Sequence, residues 1–351
     1  MHHLISRLPK RASWIAADRD RRAARVFGRR RGVLAGLLLA VAAVASAANG
    51  QGYPSRQITL IVPAAAGGIV DLAARIVGNG LTQKYKQPVI VVNKGAGNGN
   101  PAIAEFVKAA PDGYTLLVSN DGGVPIHAAV DPNFTFDPVR DFVPIAIPMT
   151  YSHLFMVPKS IPAESVKDFV AYAKANAGKV TYGSAGYGSL QHIISEIFAQ
   201  QAGLKMIHVP YRGIAPATND LLAGNISMLM QNVPSAMSIL DSGRVRVLAA
   251  FDAQRNPDRP TVPTMAELGY PELTVKSWIG VWGPRGLPDA IRQQLSAAIG
   301  EIVALPQNQE RYRTVGAGRE FTGAAAFEPF YLHEVSRWKS LVTERHIKVA
   351  E

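Results

Sequence analysis

The strongest constraint on this chain is a local grammar that runs twice. A short apolar strand ends in a glycine-containing turn, and the turn opens a helix. In the first run ITLIV (Ile58–Val62) leads through PAAAGG to a helical pattern from Ile69 to about Leu81. VIVV (Val89–Val92) leads through NKGAGNGN to a helix around Ile103–Ala109, and YTLLVS (Tyr114–Ser119) ends at NDGG. Strands alternating with helices in this order call for a parallel sheet with helices on both faces and right-handed crossovers.

The second run starts after about residue 160. Pro162–Asn176 reads as a helix with Gly178 at its end, and VTYG (Val180–Gly183) as a strand. Leu190, Ile193, Ile194, Ile197 and Phe198 share one helical face. MIHVPY (Met206–Tyr211) is a strand, and Pro216 and Gly224 bracket a helix. ISMLMQN (Ile226–Asn232) and VRVLAAF (Val245–Phe251) complete a second parallel sheet. Residues 252–266, rich in proline and charge, read as a linker, SWIGVWGP (Ser277–Pro284) as a strand, and the remaining helices as packing on the first sheet. The expectation is an α/β protein of two hinged lobes, each a mainly parallel sheet flanked by helices. Lobe 1 comprises 48–160 plus 252–351 and lobe 2 comprises 161–251. Such sheets bind ligands beyond the carboxyl ends of their strands, so the cleft lies between the lobes.

Charge and leader narrow the setting. The net charge is +11, but residues 1–47 hold ten Lys/Arg and two acids, which leaves only +3 for the rest. The basic excess therefore belongs to a leader and not to a nucleic-acid surface. GRRRG (Gly28–Gly32) precedes the apolar run Val33–Ala45, and Ala45 and Ala47 form an A-x-A-type cleavage site. A run of 13 residues is shorter than the ~20 a spanning helix needs. The expectation is export to the periplasm with cleavage near Ala47. The chain has no cysteine, which excludes thiol chemistry and disulfides.

Four turns are candidates for a site. Gly67-Gly68 stands between a strand and a helix N-terminus, whose unpaired amides and positive dipole end suit an anion, or else merely permits a tight turn. Asp71 and Arg75 read as an intrahelical ion pair. YGSAGYGSLQH (Tyr182–His192) stands in the matching place of the second run, where Gly183, Gly186 and Gly188 leave backbone amides accessible, Ser184 and Ser189 offer hydroxyls, and Ser189 is a good N-cap. There His192 packs, caps or meets ligand. SNDGG (Ser119–Gly123) lines a pocket or forms an Asx turn, and Asn232 ends a strand at the corresponding point of lobe 2. NKGAGNGN fails the dinucleotide fingerprint, because position 100 is Asn and no acid follows at the needed distance.

Enzyme signatures are missing. GSAG is not G-x-S-x-G, and neither H-E-x-x-H nor a Walker A occurs. His127, His153, His208 and His333 are scattered without ligand spacing. Trp278 and Trp282 read as core, and basic residues do not interleave with aromatics as single-strand binders require.

In order and spacing, YPSRQITLIVPAAAGG, APDGYTLLVSN, GKVTYGSAGYGSLQH, VPYRGIAPATNDLLAGNI and SGRVRVLAAF resemble one family across nearly the whole mature chain. It is the substrate-binding receptors of tripartite tricarboxylate transporters, also called Bug receptors. The resemblance implies a periplasmic Venus-flytrap protein of the type II binding-protein fold. It would bind a small carboxylate, often a dicarboxylate, largely through backbone amides and water. It implies contacts at Ala66, Gly67, Gly68, Ile69, Val70, Asp71, Ser119, Asn120, Ser184, Ala185, Gly186, Ser189 and Asn232. It further implies a monomer without cofactor, metal or catalysis, partnered by membrane permease subunits. A sensor feeding a membrane kinase, or an enzyme reacting through Ser184 or His192 on the same frame, are the alternatives. The chain departs from the family pattern at Ala64, where an aromatic residue is usual, and at Val70, where Ser or Thr is usual. It departs also at NDGGVPIHAAV and at NKGAGNGNPA, which lacks a proline. Tyr187 fills a variable position, to close over ligand or to face solvent.

Overall fold

The computed structural model describes residues 52–95, 99–131 and 133–347. The expected signal segment, residues 1–47, and the middle of the NKGAGNGN stretch, 96–98, lie outside these residues. The described residues from Arg56 onward pack as one unit.

The first sheet is nucleated by β1 (Ile58–Val62). Its apolar side chains serve both faces, as a central parallel strand requires. On one face, Leu60 meets helix α1 (Ile69–Tyr85) so closely that a Cβ at Gly78 would lie 3.4 Å from Leu60 Cδ1. On the other face, Ile61 joins a core with Phe106, Trp278, Trp282 and Tyr331. β2 (Val89–Asn93) pairs parallel with β1 and leads to α2 (Asn100–Val107). β3 (Thr115–Asn120) pairs parallel with β1 on its other side. A short 3-10 turn and α3 (Pro125–Val130) follow, then β4 (Phe142–Tyr151).

After a single residue, Ser152, the chain enters the second sheet as β5 (His153–Pro158). It continues through α4 (Val166–Ala175), β6 (Thr181–Ser184), α5 (Leu190–Ala202), β7 (Ile207–Pro210), α6 (Ile214–Ala223), β8 (Met228–Asn232), α7 (Val233–Leu240) and β9 (Val245–Ala250). β6 pairs parallel with β7 and β8, and β5 runs antiparallel between β8 and β9. Strict alternation splits β5 between two cores. Phe155 and Val157 pack with Phe169 and Phe198, while Leu154 and Met156 pack with Leu221 and Ala236.

The chain then returns as β10 (Ser277–Pro284), α8 (Asp289–Ala304), α9 (Pro306–Thr314), β11 (Ala317–Gly318), β12 (Thr322–Gly323) and α10 (Ala324–Glu344). The first sheet reads β2-β1-β3-β10-β4-β11, with β12 also on β4, and the second reads β7-β6-β8-β5-β9. The two orders match. In each, three parallel strands are followed by one antiparallel strand delivered from the other sheet, β10 or β5, and then by a further parallel strand.

Two differences from the sequence expectation have physical causes. The change of sheet falls at Ser152 and not near residue 160, because the chain crosses while extended and no turn residue marks the spot. Each sheet is mainly parallel, as expected, and the reversed strand in each is the one that crosses from the other sheet. The C-terminal helix does not pack on the first sheet alone. At 21 residues α10 is about 30 Å long. Phe327 and Tyr331 lie in the first core, while Trp338 and Val342 lie in the second. Trp278 and Trp282 are core, as their spacing indicates.

Candidate functional site

β1 delivers the chain to an exposed turn over residues 65–68, immediately before α1. Gly67 has φ +85, a conformation that disfavours any residue with a Cβ. Its N–H donates to Asp71 Oδ2 at 3.0 Å, and Arg75 Nε donates to the same oxygen at 2.9 Å. Asp71 is 4% exposed. Burial opposes its charge, but the bonds from Arg75 and Gly67 outweigh burial and hold the carboxyl below its ordinary pKa. The expected ion pair therefore also clamps the turn. Gly68 is the N-cap and contributes no side-chain acceptor. The amides of Ile69, Val70 and Asp71 thus stand at the positive end of a 17-residue helix without intrahelical acceptors. Ala66 lies exposed in the turn, and Val70 is buried. Gly95 and Gly99 of NKGAGNGN serve this turn by close approach. A Cβ at Gly95 would lie 2.8 Å from Ala65 N, and one at Gly99 2.7 Å from Pro63 Cβ.

The second turn follows β6. Parallel register sets Tyr182 beside His208 and Ser184 beside Pro210. Ser184 is fully buried. Its Oγ accepts from Gly186 N at 3.0 Å, donates to Gly186 O at 3.0 Å and lies 2.6 Å from His208 Nε2. Backbone bonds from Tyr211 N to Ser184 O and from Gly213 N to Ala185 O tie the turn to the next loop. Ser189 caps α5 as expected, accepting from His192 N, and its Oγ donates to Gly186 O at 2.7 Å. Gly188 N donates to His192 Nδ1 at 3.1 Å. The His192 and His208 rings stack with centroids 4.0 Å apart, and Tyr187 meets both edge-on. Burial drives both imidazoles toward the neutral form, His208 down to about 4 with His192 adding to the effect. His208 is the residue that the sequence reading set aside. The available signal was the pairing of VTYGS with MIHVPY in parallel register, which brings Tyr182, Ser184 and His208 together.

The remaining polar candidates are also committed within the protein. Ser119 is buried on β3. Asn120 Oδ1 accepts from Gly123 N at 3.0 Å, capping the 3-10 turn three residues on instead of closing an Asx turn, and Nδ2 donates to Tyr151 OH at 3.2 Å. Asn232 Oδ1 caps α7 by accepting from Ser235 N at 2.8 Å. A path of short contacts links the two turns. Gly99 abuts Pro63, Asn100 Nδ2 donates to Asp131 Oδ2 at 3.2 Å, and a Cβ at Gly188 would lie 2.7 Å from Val130 Cγ2. A cavity of about 850 Å³ lies where the chain passes between the sheets, lined by Tyr151, Ser152, Asp252, Lys276 and Arg319, and none of the expected ligand contacts lines it. Among the described residues no His, Asp and Glu cluster has metal-site geometry, and no helix is long and apolar enough to cross a membrane.

Comparison with known proteins adds the following. Residues 73–347 match the model of the tripartite tricarboxylate transporter family receptor. Protein BugT of Bordetella pertussis is 30% identical over 315 residues, covering 90% of this chain and 97% of that protein. A solved R. palustris protein with adipate superposes with a TM-score of 0.76 at 30% identity, covering 84% of this chain and 99% of that one. MatC from Rhodopseudomonas palustris with bound malate gives 0.73 at 27% identity, covering 83% and 100%.

Proposed function

Because the chain belongs to the tripartite tricarboxylate transporter receptor family, whose members are periplasmic binding proteins and not enzymes, we propose that it captures a small di- or tricarboxylate between its two sheets and hands it to a membrane permease. The observation that carries this reading is the pair of glycine turns, each between a parallel strand and a helix N-terminus. On the first lobe the donors are the uncapped amides of Ile69, Val70 and Asp71, beside Ala66–Gly68. On the second they are the first amides of α5, above Ser189. Two positively polarised backbone ends suit a molecule with a carboxylate at each end.

The side chains take supporting parts in this scheme. Asp71 holds the Gly67 amide, Ser184 holds Gly186, and Asn120 and Asn232 hold the ends of β3 and β8. Ser119 and Ala185 belong to the walls. The adipate and malate carried by the two structural relatives are acids of the proposed class. The lobes divide at Ser152 and again between β9 and β10, and the leader is removed near Ala47.

The test is a thermal-shift and calorimetric screen of the protein purified from periplasm against malate, adipate and a panel of mono-, di- and tricarboxylates. A bound acid at 100 times its Kd adds about 2.7 kcal/mol. For a protein of about 300 residues that raises Tm by roughly 4 °C. No response to any acid in the panel would remove the reading.

A further inference from the structure

The side-chain bonds that hold the Gly186–Gly188 stretch lead to one of two imidazoles. Ser184 Oγ has one proton and three partners. Gly186 N donates to it, and Gly186 O accepts from it. The third contact, His208 Nε2 at 2.6 Å, is then a donor, which places the neutral ring's proton on Nε2. The other ring nitrogen agrees. His208 Nδ1 is buried without a partner. That is tolerable for a bare lone pair and costly for an N–H. His192 is determined in the same way. Gly188 N–H donates to its Nδ1, so its proton also sits on Nε2. The rings stack at 4.0 Å, where a charge on one opposes a charge on the other. The titratable groups facing the pair are Glu196, which accepts from Tyr182 OH, and the rings of Tyr182 and Tyr187.

We propose that His208 and His192 are positioning residues of the ligand site, each held neutral with its proton on Nε2. His208 acts through Ser184 on the Gly186 amide, and His192 acts directly on the Gly188 amide. Together they consume two of the turn's donors and so bias which amides remain for an anion, among them those of Leu190 and Gln191 at the start of α5. This inference rests on the carboxylate-binding reading, but its first test does not need a ligand.

Imidazole nitrogen–proton correlation spectra of the ligand-free protein near pH 6.5 should show both rings neutral and Nε2-protonated. A proton on His208 Nδ1, or a charged ring, overturns the proposal. Two substitutions then separate positioning from packing. His208→Gln keeps an N–H donor near the Nε2 position, and His208→Phe keeps a ring without a donor. His208→Phe should speed amide exchange at Gly186 and weaken malate or adipate binding about tenfold, while His208→Gln stays within about threefold of the parent. Unchanged exchange at Gly186 in His208→Phe, or affinity equal to the parent, overturns it. If neither acid binds the parent, affinity is read with whichever acid of the panel does; if none binds, the carboxylate reading fails, and the proton positions and Gly186 exchange still decide the role of the histidines.

Discussion

Asp71 shows how much a single residue reveals and hides. Its pairing with Arg75 follows from a spacing of four on a helix. Its bond to Gly67 N depends on the path of the turn, which no spacing encodes. Replacing it, Asp71→Asn, removes a charged acceptor from two donors and should cost about 1.5–3 kcal/mol by urea denaturation at neutral pH. Its folded pKa is lowered, so its contribution is present above the ordinary carboxyl range and is lost as pH falls through the folded value. The gap between parent and variant should therefore close in acid. The histidines act over a different window. His153 and His208 fall from 6.5 to about 3 and about 4 through burial. Between 6.5 and those values the unfolded chain binds more protons at these two sites than the fold does. These two rings should then destabilise the fold as pH drops from 6.5 toward 4, partly offset by Asp121, whose carboxyl is pushed up to about 7 by burial, and Tm measured across that range checks the net decline.

Helices and strands were legible where one period ran unbroken. ITLIV and SWIGVWGP form strands at the expected residues, and the α5 face is the one its apolar spacing defines. Boundaries drifted where capping chemistry was local. α6 starts at Ile214 behind Gly213, with Pro216 inside its first turn. What elements do to each other was not legible. A Cβ at Gly80 on α1 would lie 2.5 Å from Ile302 Cγ2 on α8, so these two helices meet only because Gly80 has no side chain. Gly80→Ala should cost about 1–3 kcal/mol by overpacking, with partial recovery in the double variant Gly80→Ala/Ile302→Val, read from denaturation midpoints. Trp338, on the half of α10 that reaches the second core, should cost about 3–5 kcal/mol when truncated to Ala.

At the scale of the whole molecule, two extended crossings connect the sheets, and Ser152 Oγ on the first donates to Asp252 Oδ1 on the second at 2.5 Å. Under the binding reading, ligand bridging both turns shifts the molecule toward a closed form. Small-angle scattering should show a smaller radius of gyration with saturating acid, and an unchanged radius would argue against closure. The alternation of strands and helices, the glycine turns at strand ends and the absence of cysteine follow from the sequence alone, because backbone periodicity and turn chemistry act within a few residues. The exchange of β5 and β10 between sheets, the stacking of His192 on His208 and the reach of α10 across both cores were decided only by tertiary structure. Each joins residues far apart in the chain, and the free energy that selects such contacts exists only once the intervening elements have packed.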